Sequence, residues 1–94
     1  MEFGLSKEIV EKIKKISRKY KNKFYIFGSR ARGDYKKTSD IDIAIYGEIS
    51  HKEKYNILND IDMLDIPYMV DVIFVQEVQN SELKKNIENQ GVEI

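Results

Sequence analysis

The chain has 94 residues, of which 41% are hydrophobic and 34% charged, and its formal net charge is zero. This composition is typical of one small folded domain and excludes a disordered chain, while the short apolar runs exclude a transmembrane protein. The absence of cysteine excludes a disulfide scaffold, a thiolate zinc site and a cysteine nucleophile. We therefore expect a single domain over residues 1–94 and, without a signal-peptide pattern, a cytoplasmic location.

The charges are unevenly distributed along the chain. Residues 7–37 hold twelve lysines and arginines against three acids, whereas residues 40–82 hold ten acids against two lysines. Such asymmetry indicates an anionic partner or ligand for the first half of the chain. A solvated, lysine-rich helix is the simpler explanation for most of these cations, and we do not expect direct binding of nucleic acid.

The first predicted elements are a helix, a strand and a loop. Ser6 is a typical N-cap, and apolar residues spaced three and four positions apart predict a helix that ends near residues 21–22. The aromatic and β-branched run over residues 24–27 predicts a buried strand, which stops at Gly28. Residues 29–37 are polar and predict a loop with at most one helical turn.

The middle of the chain predicts a second strand and a second helix. Acids and isoleucines alternate over residues 40–46, which predicts a strand with both carboxylates on one face. Apolar residues at helical spacing predict a helix over residues 51–64, and Pro67 separates this helix from the next strand.

The last third predicts a strand, a helix and a short closing strand. Residues 69–75 are the strongest strand signal in the chain and carry one acid in their middle. Asn80 or Ser81 caps a helix that ends at Gly91, and residues 92–94 form the closing strand. The order of elements predicts an α/β or α+β fold in which helices flank a small sheet.

Three acids lie in predicted strands that are otherwise apolar. Asp40 and Asp42 share one strand face, and Asp71 interrupts another strand. Carboxylates near a core are costly unless they are paired or bound to a metal, and hard oxygen ligands suit Mg²⁺. The three acids would hold two ions, as in phosphoryl or nucleotidyl transfer. The alternative is structural: Asp40 caps a turn, Asp42 faces solvent and Asp71 pairs with a lysine.

Gly28 and Ser29 form a second candidate motif. They directly follow a predicted buried strand and precede Asp40 by about ten residues. Glycine lets a backbone N–H approach a phosphate oxygen, the serine hydroxyl adds a donor, and a helical turn starting there adds its positive end. Taken alone, this Gly-Ser pair is typical of a plain turn. Together with the three acids it predicts a phosphate site beside a metal site.

These motifs resemble those of a known family. The segments Gly-Ser-Arg-Ala-Arg-Gly at 28–33, Ser-Asp-Ile-Asp-Ile at 39–43 and Val-Asp-Val at 70–72 are similar to the minimal nucleotidyltransferases of the DNA polymerase β-like superfamily. The resemblance covers nearly the whole chain. It implies the polymerase β-like nucleotidyltransferase fold, with a small mixed sheet flanked by helices.

The resemblance also implies a role for each motif residue. The catalytic and metal-binding acids would be Asp40, Asp42 and Asp71, which would hold two Mg²⁺ ions. Gly28 and Ser29 would contact the triphosphate of the nucleotide substrate, ATP. Arg30 and Arg32 are candidates for contacts to phosphate or to an acidic partner surface, since arginine suits bidentate phosphate contacts. We favour Arg32, because the position of Arg30 varies in the family motif.

A partner is implied by the same resemblance. Minimal nucleotidyltransferases are often encoded beside a HEPN-domain protein that resembles an RNase toxin, and some act as antitoxins by transferring AMP to a tyrosine of that toxin. The resemblance therefore implies a magnesium-dependent transfer of AMP from ATP to a tyrosine hydroxyl, with release of pyrophosphate. A chain this short, which has no acceptor domain of its own, agrees with an acceptor supplied by a partner.

Two alternatives stay open at this point. The chain could be a non-catalytic antitoxin that masks its toxin by contact alone. A small-molecule acceptor, such as an aminoglycoside, suits larger chains with a second domain. The sequence leaves the nucleotide preference, the number of nucleotides added and the oligomeric state undecided.

Overall fold

Helices and strands alternate along residues 2–94, which are the residues that a computed structural model of the chain describes. The elements are α1 (Lys7–Lys19), β1 (Phe24–Phe27), α2 (Ser29–Arg32), β2 (Ile41–Ile45), α3 (His51–Asp62), β3 (Val70–Phe74), α4 (Ser81–Gln90) and β4 (Val92–Glu93). A short 3-10 turn, Val75–Glu77, follows β3. Within this described part of the chain, none of the helices is long and apolar enough to cross a membrane.

The four strands form one mixed sheet in the order β3-β2-β1-β4. β1 is antiparallel to both of its neighbours, whereas β2 and β3 are parallel. A parallel pair needs a crossover connection, and α3 lies in that connection. The predicted α/β fold with a small sheet flanked by helices is confirmed.

The register brings three strand ends to one end of the sheet. Phe27, the last residue of β1, is opposite Asp42 near the start of β2. Asp42 is in turn opposite Asp71 near the start of β3. The turn that follows β1 and two of the three acids therefore meet at the same end of the sheet.

One face of the sheet carries the larger core. Alternate residues of β1 and β2 point to this face, where α1 and α3 cover them. The buried members are Leu5, Val10, Ile13, Ile16, Phe24, Ile26, Ile41, Ile43, Ile45, Ile57 and Ile61. Full burial of one such side chain stabilises the fold by roughly 1.5–3 kcal/mol, so this cluster is the main source of stability.

The opposite face of the sheet carries a smaller core. Its buried residues are Phe27, Ala44, Val75 and Ile87, and the last of these belongs to α4. Ala44 lies two residues after Asp42 on the same strand, so both side chains point to the α4 side of the sheet. The acid thus stands at the margin of this smaller core.

The element bounds differ from the predicted ones by one to three residues. α1 ends at Lys19 rather than near residues 21–22, because Tyr20 adopts an extended conformation with ψ of 154°. α3 ends at Asp62 instead of Leu64. Asp40 precedes β2 instead of starting it.

The third strand is less buried than its sequence indicates. β3 lies at the edge of the sheet, its residues are half-buried or exposed, and Asp71 is exposed. The expectation that Asp71 lies near a core is therefore wrong. Val75, predicted to continue the strand, is buried in the 3-10 turn.

Candidate functional site

Gly28 brings the turn after β1 into direct contact with the β2 carboxylate. Its backbone angles, φ 75° and ψ −154°, lie in a region that only glycine adopts readily. A Cβ atom added at this position would overlap Oδ2 of Asp42. The absence of a side chain is therefore what lets this turn pack against the acid.

The turn continues into the single helical turn of α2. The amides of Ala31 and Arg32 donate to the carbonyl of Gly28 at 3.1 and 3.0 Å, and the amide of Gly33 donates to the carbonyl of Ser29 at 2.9 Å. Gly33, with φ of 97°, ends the helix in a left-handed conformation. These bonds fix the backbone of the turn that carries half-buried Ser29.

Asp42 lies within the electrostatic influence of the other two acids. Asp42 is half-buried, whereas Asp40 and Asp71 are exposed. Burial raises the pKa of Asp42, and the negative charges of Asp71 and Asp40 raise it further, while Arg32 lowers it. The charges of Asp40 and Asp71 thus act on Asp42, and a joint site formed by the three carboxylates stays a prediction.

The acids fit a cation in chemistry but do not form a closed cage. Within residues 2–94, no three acidic or histidine side chains lie close enough together to hold a metal ion unaided. Mg²⁺ is commonly held by one or two carboxylates, with water and substrate phosphates as its other ligands. The donor set of Asp40, Asp42 and Asp71 suits that mode, since a cation would relieve the repulsion on Asp42.

Comparison with known proteins decides the family. Residues 11–94 match the family model described as polymerase beta, nucleotidyltransferase. The chain belongs to this family. It is therefore a nucleotidyltransferase, and the predicted polymerase β-like fold is confirmed.

Relatives of this nucleotidyltransferase point to one activity. Two proteins of Methanocaldococcus jannaschii are 44% and 42% identical to it over 93 residues, which are 94% of this chain and 93% of each relative. Both carry the provisional name protein adenylyltransferase. With the family match, they confirm the predicted family resemblance.

Solved structures agree with this assignment. A crystal structure of a toxin–antitoxin with AMP-PNP matches at a TM-score of 0.67 and 26% identity, over 88% of this chain and 69% of the other. A mutant of the MntA–HpeT toxin–antitoxin matches over the same shares at a TM-score of 0.64 and 22% identity, and supports the fold alone.

Arg32 of the nucleotidyltransferase lies at the rim of the site. Its side chain is exposed; Nε donates to Oδ1 of Asp34 and Nη1 donates to Oε1 of Gln90, both at 3.1 Å. It also lowers the pKa of Asp42, so its charge acts on the acid. Binding an anion through Arg32 would require it to release exposed Asp34 or half-buried Gln90.

Arg30 differs from the prediction most clearly. Its side chain is 2% exposed and, among residues 2–94, its guanidinium donates only to backbone carbonyl groups. The expectation that Arg30 could reach phosphate or a partner surface is therefore wrong. Its partners lie in distant segments, near residues 3–4 and 37–39, so no local sequence pattern signals this role.

Several other titratable and aromatic side chains lie outside the motif segments. His51 is exposed at the start of α3, and Asp34 is an exposed loop residue. Tyr25 and Tyr46 pack edge to face, with ring centroids 5.1 Å apart. An open, largely apolar groove between α3 and β3 is lined in part by Val70 and Val72 of the third motif, but the predicted catalytic and nucleotide-binding residues are not among its lining residues.

Proposed function

We propose that this nucleotidyltransferase transfers AMP from ATP to a tyrosine hydroxyl of a partner toxin of the HEPN type, and so acts as an antitoxin. The observation that carries the proposal is the contact between the Gly28 turn and half-buried Asp42, opposite Asp71. Relatives named as protein adenylyltransferases support AMP as the group transferred and a protein as its acceptor. We take residues 1–94 to form one minimal nucleotidyltransferase domain.

The proposed acids would share the work of binding and proton transfer. Asp40, Asp42 and Asp71 would hold two Mg²⁺ ions together with the triphosphate. When bound, magnesium stabilises the charge on the attacking and leaving oxygens. Exposed Asp71, in the edge strand, is accessible to an acceptor hydroxyl and would take its proton.

The proposed turn would orient the nucleotide. Because Gly28 has no side chain, a phosphate group would approach its backbone beside Asp42, and the Ser29 hydroxyl would donate to a phosphate oxygen. Arg32 would add a charged contact at the rim. The tyrosine oxygen would then form a bond to the α-phosphorus. The bond between the α-phosphorus and the oxygen that bridges to the β-phosphate would break, and pyrophosphate would leave with that electron pair.

The toxin partner is supported by the structural neighbour that is a toxin–antitoxin with AMP-PNP. Its match to this chain supports a toxin as the acceptor and an adenine nucleotide as the donor. A pair of this kind would act in the cytoplasm, where ATP and an RNase substrate are both available. The rival function is masking of the toxin by contact, without any transfer.

An intact-mass experiment tests the transfer. The partner that copurifies with the chain is weighed before and after incubation with the chain, ATP and Mg²⁺. We expect increments of one AMP that are absent with Asp42→Asn and present with Asp62→Asn, which changes an exposed acid on α3. A stable complex with no increment from ATP or any other nucleoside triphosphate would contradict the transfer and favour masking.

A further inference from the structure

We propose that Arg30 is a positioning residue that fixes the residue before Asp40 relative to the Gly28 turn. The inference rests on the proposed function, because it concerns how Asp40 and the turn are held in place. It gives a role to an arginine that neither the nucleotide nor a partner can reach.

The guanidinium of Arg30 joins three separate segments. Nε and Nη2 donate to the carbonyl of Ser39 at 3.1 and 2.8 Å. Nη1 donates to the carbonyl of Phe3 at 2.9 Å. Longer bonds of 3.4 Å reach the carbonyls of Gly4 and Lys37. One side chain on α2 thus connects to the N-terminal segment and to the loop that leads into β2.

The environment of this charge is unusual, since it is buried without a carboxylate. No salt bridge involves Arg30 among the residues that the structure describes. Tyr35 and Tyr68 cover the guanidinium, with ring centroids 5.2 and 4.6 Å from its central carbon. Carbonyl dipoles and aromatic faces together offset the cost of removing the charge from water. A side chain enclosed in this way is held in one orientation.

The connections of Arg30 bracket the proposed site. Arg30 directly follows Ser29, whose turn is fixed by the amides of α2 bonding to Gly28. Ser39, the main acceptor, directly precedes Asp40. A shift of the Ser39 carbonyl would therefore move the first proposed metal-binding acid relative to the phosphate-binding turn.

Apart from the bonds of Arg30 and the ring of Tyr35, which packs over Gly4, the loop before Asp40 has few attachments. Residues 32–38 are exposed, so they bury few apolar groups. Within the loop, the amide of Lys36 donates to Oγ of Ser39 at 2.8 Å, which shapes the turn but does not attach it to the sheet. Arg30 supplies that attachment through the paired bonds to Ser39.

The variant Arg30→Lys tests the role, because lysine keeps the charge but replaces a five-donor fork by a single ammonium group. We expect the Mg²⁺ concentration for half-maximal AMP transfer to rise about 10- to 100-fold, the range seen when residues that support metal ligands are changed. The matched control is Arg18→Lys, since Arg18 is exposed and pairs with Glu11 at 3.0 Å. That control should leave the Mg²⁺ dependence unchanged.

Two measurements without turnover separate this inference from the proposed function. Amide hydrogen exchange of residues 36–41 should speed up in Arg30→Lys while exchange in β1 and α1 stays as in the wild type. Direct titration with Mn²⁺ in the presence of AMP-PNP should show the same loss of metal affinity. Absence of AMP transfer by the wild-type chain would overturn the proposed function, while these two measurements would still decide the role of Arg30.

A second variant tests the same role if Arg30→Lys does not fold. Tyr35→Leu uncovers one face of the guanidinium without removing a donor, and should shift loop exchange and Mn²⁺ affinity in the same direction by a smaller factor. Wild-type Mn²⁺ affinity in a folded Arg30→Lys protein would overturn the proposal. So would exchange that speeds up uniformly along the chain with unchanged affinity, since that result indicates a role in stability alone.

Discussion

Gly28 is the residue at which backbone conformation and the proposed chemistry depend most directly on each other. Its φ and ψ exclude most side chains, and the space where a Cβ would lie is taken by the carboxylate of Asp42. Gly33, at the other end of α2, also has a positive φ, but a Cβ there would meet nothing within 4 Å. A side chain at Gly28 would therefore cause both backbone strain and a clash with Asp42, whereas one at Gly33 would cause backbone strain alone.

This difference gives a matched pair of substitutions. Gly28→Ala should lower the free energy of unfolding by about 1–3 kcal/mol, the cost of a residue held in a disfavoured region. It should also abolish AMP transfer, because the new methyl group displaces Asp42. Gly33→Ala should cost about 1–2 kcal/mol and retain transfer, since only the left-handed conformation is penalised. Urea unfolding and the transfer assay measure both; full activity in Gly28→Ala would contradict the proposed site.

The strand face on which Asp42 lies could be predicted from the sequence, but the burial of the motif arginines could not. The alternation of acids and isoleucines correctly places Asp42 on the face opposite the larger core. Nothing local distinguishes Arg30, which is buried, from Arg32, which is exposed two positions later. Their difference arises from contacts to Phe3 and Ser39, which are far away in the sequence and come together only in the fold.

At the scale of elements, one acid joins the two helices on the larger core. Asp60 of α3 accepts from the Tyr20 hydroxyl at 2.6 Å and from the Lys19 ammonium at 2.9 Å, both at the end of α1. The hydrogen bond from Tyr20 and then that from Lys19 lower the pKa of Asp60. Burial and then Asp60 raise the pKa of Tyr20 to about 12.

The pairing predicts a pH-dependent difference in stability. Because the folded pKa of Asp60 lies below its ordinary value of 3.8, the ionised carboxylate stabilises the folded chain above that pH. Asp60→Asn should lower the free energy of unfolding by about 1 kcal/mol at pH 7. This value is kept small because Lys19 is exposed and solvent screens its ion pair with Asp60. The gap from the wild type should close as the pH falls through the lowered folded pKa.

Urea unfolding at several pH values measures this gap. Asp62→Asn, two residues further along α3 and exposed, is the control and should show no comparable gap. A loss in Asp60→Asn that persists unchanged at acid pH would show that shape, rather than charge, matters at this position.

Element positions follow closely from hydrophobic periodicity, whereas element ends and edges do not. β1 lies where the aromatic run predicts it, and Asn80, one of two predicted caps, accepts from the amides of Glu82 and Leu83. The apolar run around β3 resembles a central strand, yet β3 is an edge strand. The position of a strand within a sheet depends on its pairing with other strands, which the run itself does not contain.

At the scale of the whole molecule, stability is divided unequally between the two faces of the sheet. In the part of the chain that the structure describes, eleven buried residues form the core under α1 and α3, but only four form the core under α4. The order of strands, with β2 between β1 and β3, places Ile43 at the centre of the larger core. Sequence periodicity predicts which residues of a strand or helix share one face. Which helix covers which face of the sheet depends on the sheet topology.

The last prediction compares the two cores by truncating one isoleucine in each. Ile43 and Ile87 are 0% and 1% exposed, so both substitutions remove fully buried groups. Ile43→Ala should cost about 3–5 kcal/mol, the upper part of the range for such truncations, because strands on both sides limit collapse into the cavity. Ile87→Ala should cost about 2–3 kcal/mol, since α4 lies at the surface and can move inward.

Urea unfolding at neutral pH measures both costs. A domain of this size has about 5–15 kcal/mol of total stability, so Ile43→Ala should move the transition midpoint far toward low urea while the slope stays constant. Equal costs for the two variants would show that the smaller core is packed as rigidly as the larger one. In that case α4, which carries the Gln90 partner of Arg32, would be as firmly fixed to the sheet as α1 and α3.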